Sequence, residues 1–172
     1  MLEHAIISGI AHDTSEAKVT ILAVPDQPGV AARVFRPLAD AGVNIDMIVQ
    51  SSSSVGHTDI SFTLPEVNLP QAEPILQDLA RQVGAAGVAC DSDVAKISVI
   101  GAGMKSNPGV AADIFEALAD AGINIEIIST SSIRVSCVVR ASEVARAVNL
   151  IHERLALSDN VLMQDGAEPS AA

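Results

Sequence analysis

At 172 residues the chain has room for one ordinary domain or two small ones, and 49% hydrophobic content is enough for a core. With three Phe and neither Trp nor Tyr, that core has to be built from Val, Ile, Leu and Ala. A formal net charge of −11 excludes the basic stripe that nucleic acid or an anionic membrane surface selects, and no apolar run reaches the roughly 18 residues of a spanning helix.

The N-terminal stretch carries too much acid and too short an apolar run for a secretory signal, so a cytoplasmic location is expected. Its apolar core, AIISGIA (5–11), reads as a strand that must find partners for its backbone groups. KVTILAVP (Lys18 to Pro25) is the next strand, followed by the turn Asp26-Gln27-Pro28-Gly29 and a helix to about Ala41. Pro28 suits the first helical position, where a missing N–H costs nothing, and Gly42 suits the residue just past the helix end. Pro37 conflicts with this helix, since an interior proline costs about 3 kcal/mol or kinks it. Asn44 to Ser51 predicts a second strand, with Asn44, Asp46 and Gln50 on one polar face. His57 to Leu64 predicts a third, with Ile60, Phe62 and Leu64 opposite Asp59, Ser61 and Thr63.

Ala72, Ile75, Leu76, Leu79, Ala80 and Val83 then form one helical stripe, which Gly84 stops. Gly87 to Asp91 supplies a fourth strand. The order is βαββαβ, the ferredoxin-like α+β arrangement of an antiparallel sheet with both helices on one face.

The unit then repeats. The 25 residues from Pro28 return from Pro108 without a gap, 16 of them identical, at an offset of 80. That period is too long for a solenoid repeat, so each copy reads as a small domain. The second copy runs strand (Lys96 to Gly101), helix (Gly109 to Ala121), strands (Asn124 to Ser129 and Ile133 to Val139) and a helix with Val144, Val148, Ile151 and Leu155 on one face. A short VLMQ and a disordered small-residue tail follow. The second copy lacks a fourth strand, and 5–11 lacks a sheet. Crossing over would satisfy both and would insert the first domain into the second. The expected domains are 17–92 for the first, 1–16 plus 93–165 for the second, and 166–172 for the tail.

Each Pro-Gly turn opens a helix whose first N–H groups have no intrahelical partner and carry the positive dipole end, which suits a carboxylate. Asp26 stands three residues before Gly29, placed for an ammonium or hydroxyl; the second copy has Ser106 there. The alternative is a plain loop-to-helix junction. GAGMKSNPG (Gly101 to Gly109) fails as a G-x-G-x-x-G fingerprint at Ser106 and lacks a parallel βαβ unit, so no cofactor is expected. Cys90 and Cys137 read as buried hydrophobes. His4, His12, His57 and His152 show no zinc spacing. The hydroxyls of Ser51 to Ser54 and Ser129 to Ser132 have no His or Cys companion for a triad, so the chain reads as a non-enzyme.

VPDQPGVAARVF leading into NIDMIVQ, and KISVIGAGMKSNPGVAADIFEAL leading into NIEIISTS, resemble the ACT-domain pair of aspartate kinases over essentially the whole chain. No segment resembles that family's catalytic domain, so the match is to its regulatory beta subunit. Departures are Ser132 in place of a frequent acid, Ala95 in place of a frequent Gly, and a short loop at Ser53 to His57.

The resemblance implies feedback control of aspartate-family amino-acid biosynthesis, lysine included, by threonine or by threonine and lysine together. It implies a homodimer when isolated and a heterotetramer with the catalytic alpha subunit. The effector would sit between the first unit of one chain and the second unit of the other. Its contacts would be Asp26, Gly29, Val30, Ala31 and Gln50, with Asn124 and Ile125 from the opposing chain. A structural assembly module without an effector site is the alternative.

Overall fold

The computed structural model describes residues 6–51, 55–102, 104, 107 and 109–164. The chain divides into an inserted unit, Asp13–Ala95, and a host unit, Met1–His12 with Lys96–Ala172, against expected junctions at 16/17 and 92/93. Short aspartate turns mark both crossings. Asp13 Oδ1 accepts from the N–H and Oγ of Ser15 at 2.8 and 2.6 Å, and Asp91 Oδ1 accepts from the N–H of Asp93 at 2.9 Å.

The inserted unit runs β2 (Glu16–Pro25), α1 (Val30–Asp40), β3 (Ile48–Gln50), β4 (His57–Pro65), α2 (Leu69–Val83) and β5 (Gly87–Asp91). Its sheet has the order β3-β4-β2-β5, every neighbouring pair antiparallel. Val19, Ile21, Ile60, Phe62 and Leu64 point to one face and are fully buried. Val34 and Leu38 of α1 and Ala72, Leu76 and Leu79 of α2 join them in one core, so both helices cover the same face. Phe35 packs edge-on against Phe62, ring centroids 5.2 Å apart. This is the ferredoxin-like arrangement expected from periodicity.

The host unit contains β6 (Val94–Ala102), α3 (Gly109–Asp120), β7 (Ile127–Thr130), β8 (Arg134–Arg140) and α4 (Val144–Gln164). Its fourth strand is β1 (Ile6–Asp13), giving the order β1-β6-β8-β7. β1 thus takes the place beside β6 that β5 takes beside β2, so the first domain is inserted in the second. Thr20 Oγ1 and Ser61 Oγ lie 2.9 Å apart in one sheet, as do the hydroxyls of Ser98 and Ser136 in the other.

Several expectations need correction. Pro28 is not the first helical residue: α1 begins at Val30, and Gly29 is its N-cap at φ 89°, a conformation that glycine adopts without a Cβ penalty. The second strand is not eight residues long. Thr63 takes Met47 N–H on its Oγ1 at 3.2 Å and Asp46 N–H on its carbonyl at 3.1 Å, so regular pairing starts only at Ile48. Asn44 and Asp46 therefore do not share a strand face with Gln50. The counterpart is likewise shortened to Ile127–Thr130. VLMQ (161–164) continues α4 rather than following it. Pro37 lies within α1, which runs on to Asp40, and Gly42 closes it at φ 74°. Ser106 and the tail 166–172 lie outside the described residues, as does Ala5 of the first strand.

Candidate ligand site

The turn between β2 and α1 is built from two local bonds and one to the β3–β4 connection. Gln27 N–H donates to the Pro25 carbonyl at 3.0 Å, Val30 N–H to the Gln27 carbonyl at 3.2 Å, and Asp26 N–H to the Gly56 carbonyl at 2.9 Å. No side chain caps α1, and its first turn holds no acid. The helix start thus presents its positive end to whatever anion approaches. Asp26 is exposed beside it. Val30 sends its side chain into the core, so only its backbone faces the turn, and Ala31 is half-buried.

Gln50 is exposed at the end of β3, opposite Ile60. The next residue, Ser51, accepts on its carbonyl from the Thr58 hydroxyl, and Thr58 faces Val24 just ahead of the turn. The sheet therefore gathers Asp26, Gly29, Val30, Ala31 and Gln50 at one end of the inserted unit. Asn124, exposed, and Ile125, half-buried, belong to the host unit, just before β7. There Glu126 anchors the entry, donating its N–H to the Val138 carbonyl at 2.8 Å and accepting from Arg140 Nε at 2.6 Å.

The host unit holds a feature that sequence reasoning missed. A cavity of about 480 Å³ lies between the start of α3 and the β7–β8 turn, a size common among small-molecule sites. Asn107, Thr130, Ser131 and Ser132 supply polar atoms, and Met104 and Val135 are among its apolar walls. Val110, Ala111 and Thr130 in this lining stand 80 residues after Val30, Ala31 and Gln50, so the repeat offset itself was the signal. The lining can hold a small zwitterion with a short polar or aliphatic side chain.

Burial pushes the Cys137 thiol up to about 11; burial and then Glu73 raise that of Cys90. Neither is an activated nucleophile. Among the described residues no group of three His, Cys, Asp or Glu could hold a metal ion, and no helix is long and apolar enough to cross a membrane.

ACT-domain family models match residues 18–84 and 97–155, one in each unit. The aspartokinase of Mycolicibacterium smegmatis is 50% identical over 158 residues, which is 91% of this chain and 38% of that protein. The chain therefore spans 38% of the length of such relatives. Among solved structures, a chain from the aspartokinase alpha and beta subunits is 41% identical with a TM-score of 0.82, covering 87% of this chain and 99% of its own. The ligand-free regulatory subunit of aspartate kinase from Thermus thermophilus is 34% identical with a TM-score of 0.82, covering 86% and 97%. Tandem ACT units of the observed topology, matched along nearly the whole length of such subunits, make the chain a member of the family of aspartokinase regulatory subunits.

Proposed function

We propose that the chain is a non-catalytic, threonine-binding regulatory subunit that acts in the cytoplasm and mediates feedback inhibition of aspartate-family amino-acid biosynthesis. The observation that carries this reading is the start of α1 at Gly29, which no side chain caps, with exposed Asp26 beside it. The threonine carboxylate would lie on the N–H groups of the helix start, its ammonium against Asp26, and its hydroxyl toward Gln50. Asn124 and Ile125 of a second copy would complete the site, which requires a homodimer or its assembly with a catalytic alpha subunit. The cavity at Asn107 and Thr130 offers a second place for a small amino acid with a short side chain.

A ligand held between two chains favours one relative orientation, and it shifts activity only by its differential affinity for that arrangement. Titration calorimetry with L-threonine tests the reading: saturable heat is expected, weakened about tenfold or more in Asp26→Ala. Absence of heat and of any thermal shift at millimolar threonine would refute it. Aspartate-dependent ATP turnover by this chain alone should read zero, and turnover would overturn the non-catalytic assignment.

A further inference from the structure

β2 carries a bulge just before the candidate turn. Ile21 faces Ile60 and Val24 faces Thr58, so Leu22 and Ala23 together oppose the single residue Asp59. Ala23 has φ 51°, the only positive φ outside glycine among the described residues. An alanine resists this conformation because its Cβ crowds the following carbonyl oxygen. Its N–H donates to Oδ1 of Asp59 at 2.8 Å, so the side chain directly opposite the bulge holds the extra residue.

The bulge decides direction. Ile21 and Val24 are both fully buried although three residues apart, whereas an unbroken strand would put them on opposite faces. One inserted residue flips every side chain after it. Pro25 and Asp26 follow Val24 immediately, and so does the turn that starts α1. The host unit lacks the acid: two residues before Ser136, the counterpart of Ser61 in the hydroxyl pairs, stands Arg134.

We propose that Asp59 is a positioning residue for the candidate threonine site. By holding the Ala23 bulge it sets the direction in which Asp26 and the start of α1 meet the ligand. This rests on the threonine reading above and names a device within it.

The test is calorimetry of the full chain with L-threonine, together with ¹H–¹⁵N spectra of the unliganded protein. Asp59→Ala is expected to weaken threonine about tenfold, with its unfolding midpoint little changed because Asp59 is exposed. Asp59→Asn keeps an acceptor oxygen and should stay within about threefold of the parent. Adding Ala23→Gly to Asp59→Ala should recover most of the affinity, since glycine holds a positive φ without help. In the spectra, Asp59→Ala should move the resonances of Val24, Asp26, Gln27 and Gly29 as well as that of Ala23. Unchanged affinity in Asp59→Ala, or no recovery on adding Ala23→Gly, would overturn the proposal. If the parent chain shows no threonine heat, the threonine reading falls and the spectra decide the rest: shifts confined to Ala23 and its immediate neighbours would refute the positioning role.

Discussion

Arg146 reaches from α4 to the end of α3, where its Nη2 donates to the carbonyl oxygen of Ala121 at 2.6 Å. Gln71 makes the matching contact from α2, donating from Nε2 to the Ala41 carbonyl at 2.9 Å. Each carbonyl lies just past the last residue of its helix, where no intrahelical donor remains. The two units therefore satisfy the same orphan group, one with a cation and the other with a neutral amide. A cation also complements the negative end of the helix dipole.

Arg146→Ala should therefore lower stability by about 1 kcal/mol and Gln71→Ala by about half that. Urea midpoints measure both. Raising salt to about 0.5 M should shrink the arginine effect and leave the glutamine effect in place, because only the first involves a charge.

Pro37 interrupts α1 between Arg33 and Ala41, removing the N–H that would answer the Arg33 carbonyl. The repeat has Ala117 at this position, fully compatible with α3. Pro37→Ala should stabilise the protein by about 2 kcal/mol, the helical gain less the unfolded-state entropy that proline removes. A thermal midpoint that fell or stayed level would show that the ring contributes packing that alanine cannot replace.

Gly29→Ala is expected to cost about 1 kcal/mol of stability. A Cβ there would meet nothing within 4 Å, so the penalty comes from φ 89° and not from a clash. The same variant should weaken threonine in calorimetry, because relaxing the backbone withdraws the N-cap from its present orientation. Equal affinity in the two proteins would remove Gly29 from the candidate site.

The Cys137 thiol, held up to about 11 by burial against an ordinary value of 9.0, gives stability a pH dependence of definite sign. The folded chain keeps this proton to higher pH than the unfolded chain does. The contribution is complete below pH 9 and is lost as pH rises through 11, amounting to about 3 kcal/mol. Cys137→Ala should flatten the fall of the urea midpoint over that interval. Iodoacetamide at pH 8 should leave native Cys137 unmodified.

Much of the fold was legible because its signals are local. The stripe Ala72, Leu76, Leu79 and Val83 identifies a helix by spacing alone, and the alternation at Ile60, Phe62 and Leu64 identifies a strand. The stranded apolar segment near residue 6 pointed to a crossing, since backbone groups in a strand need partners. The site was legible only in part. Asp26 and Gly29 could be named as candidates from the turn, and Gln50 from the resemblance, but the cavity around Asn107 and Thr130 depends on how far α3 stands from the β7–β8 turn.

By itself the sequence determined the two copies, the element order, the helix ends at Gly42 and Gly84, and the family, because periodicity and motif spacing act within a few residues. Tertiary structure alone decided which residue stands opposite which. It set Asp59 against the Ala23 bulge, let Thr63 delay the start of β3, and left α1 to begin at Val30 instead of Pro28. The first two depend on side chains 36 and 16 residues away and the third on a turn tied by Asp26 N–H to the Gly56 carbonyl, and a two- or four-residue period carries no record of a partner across the sheet.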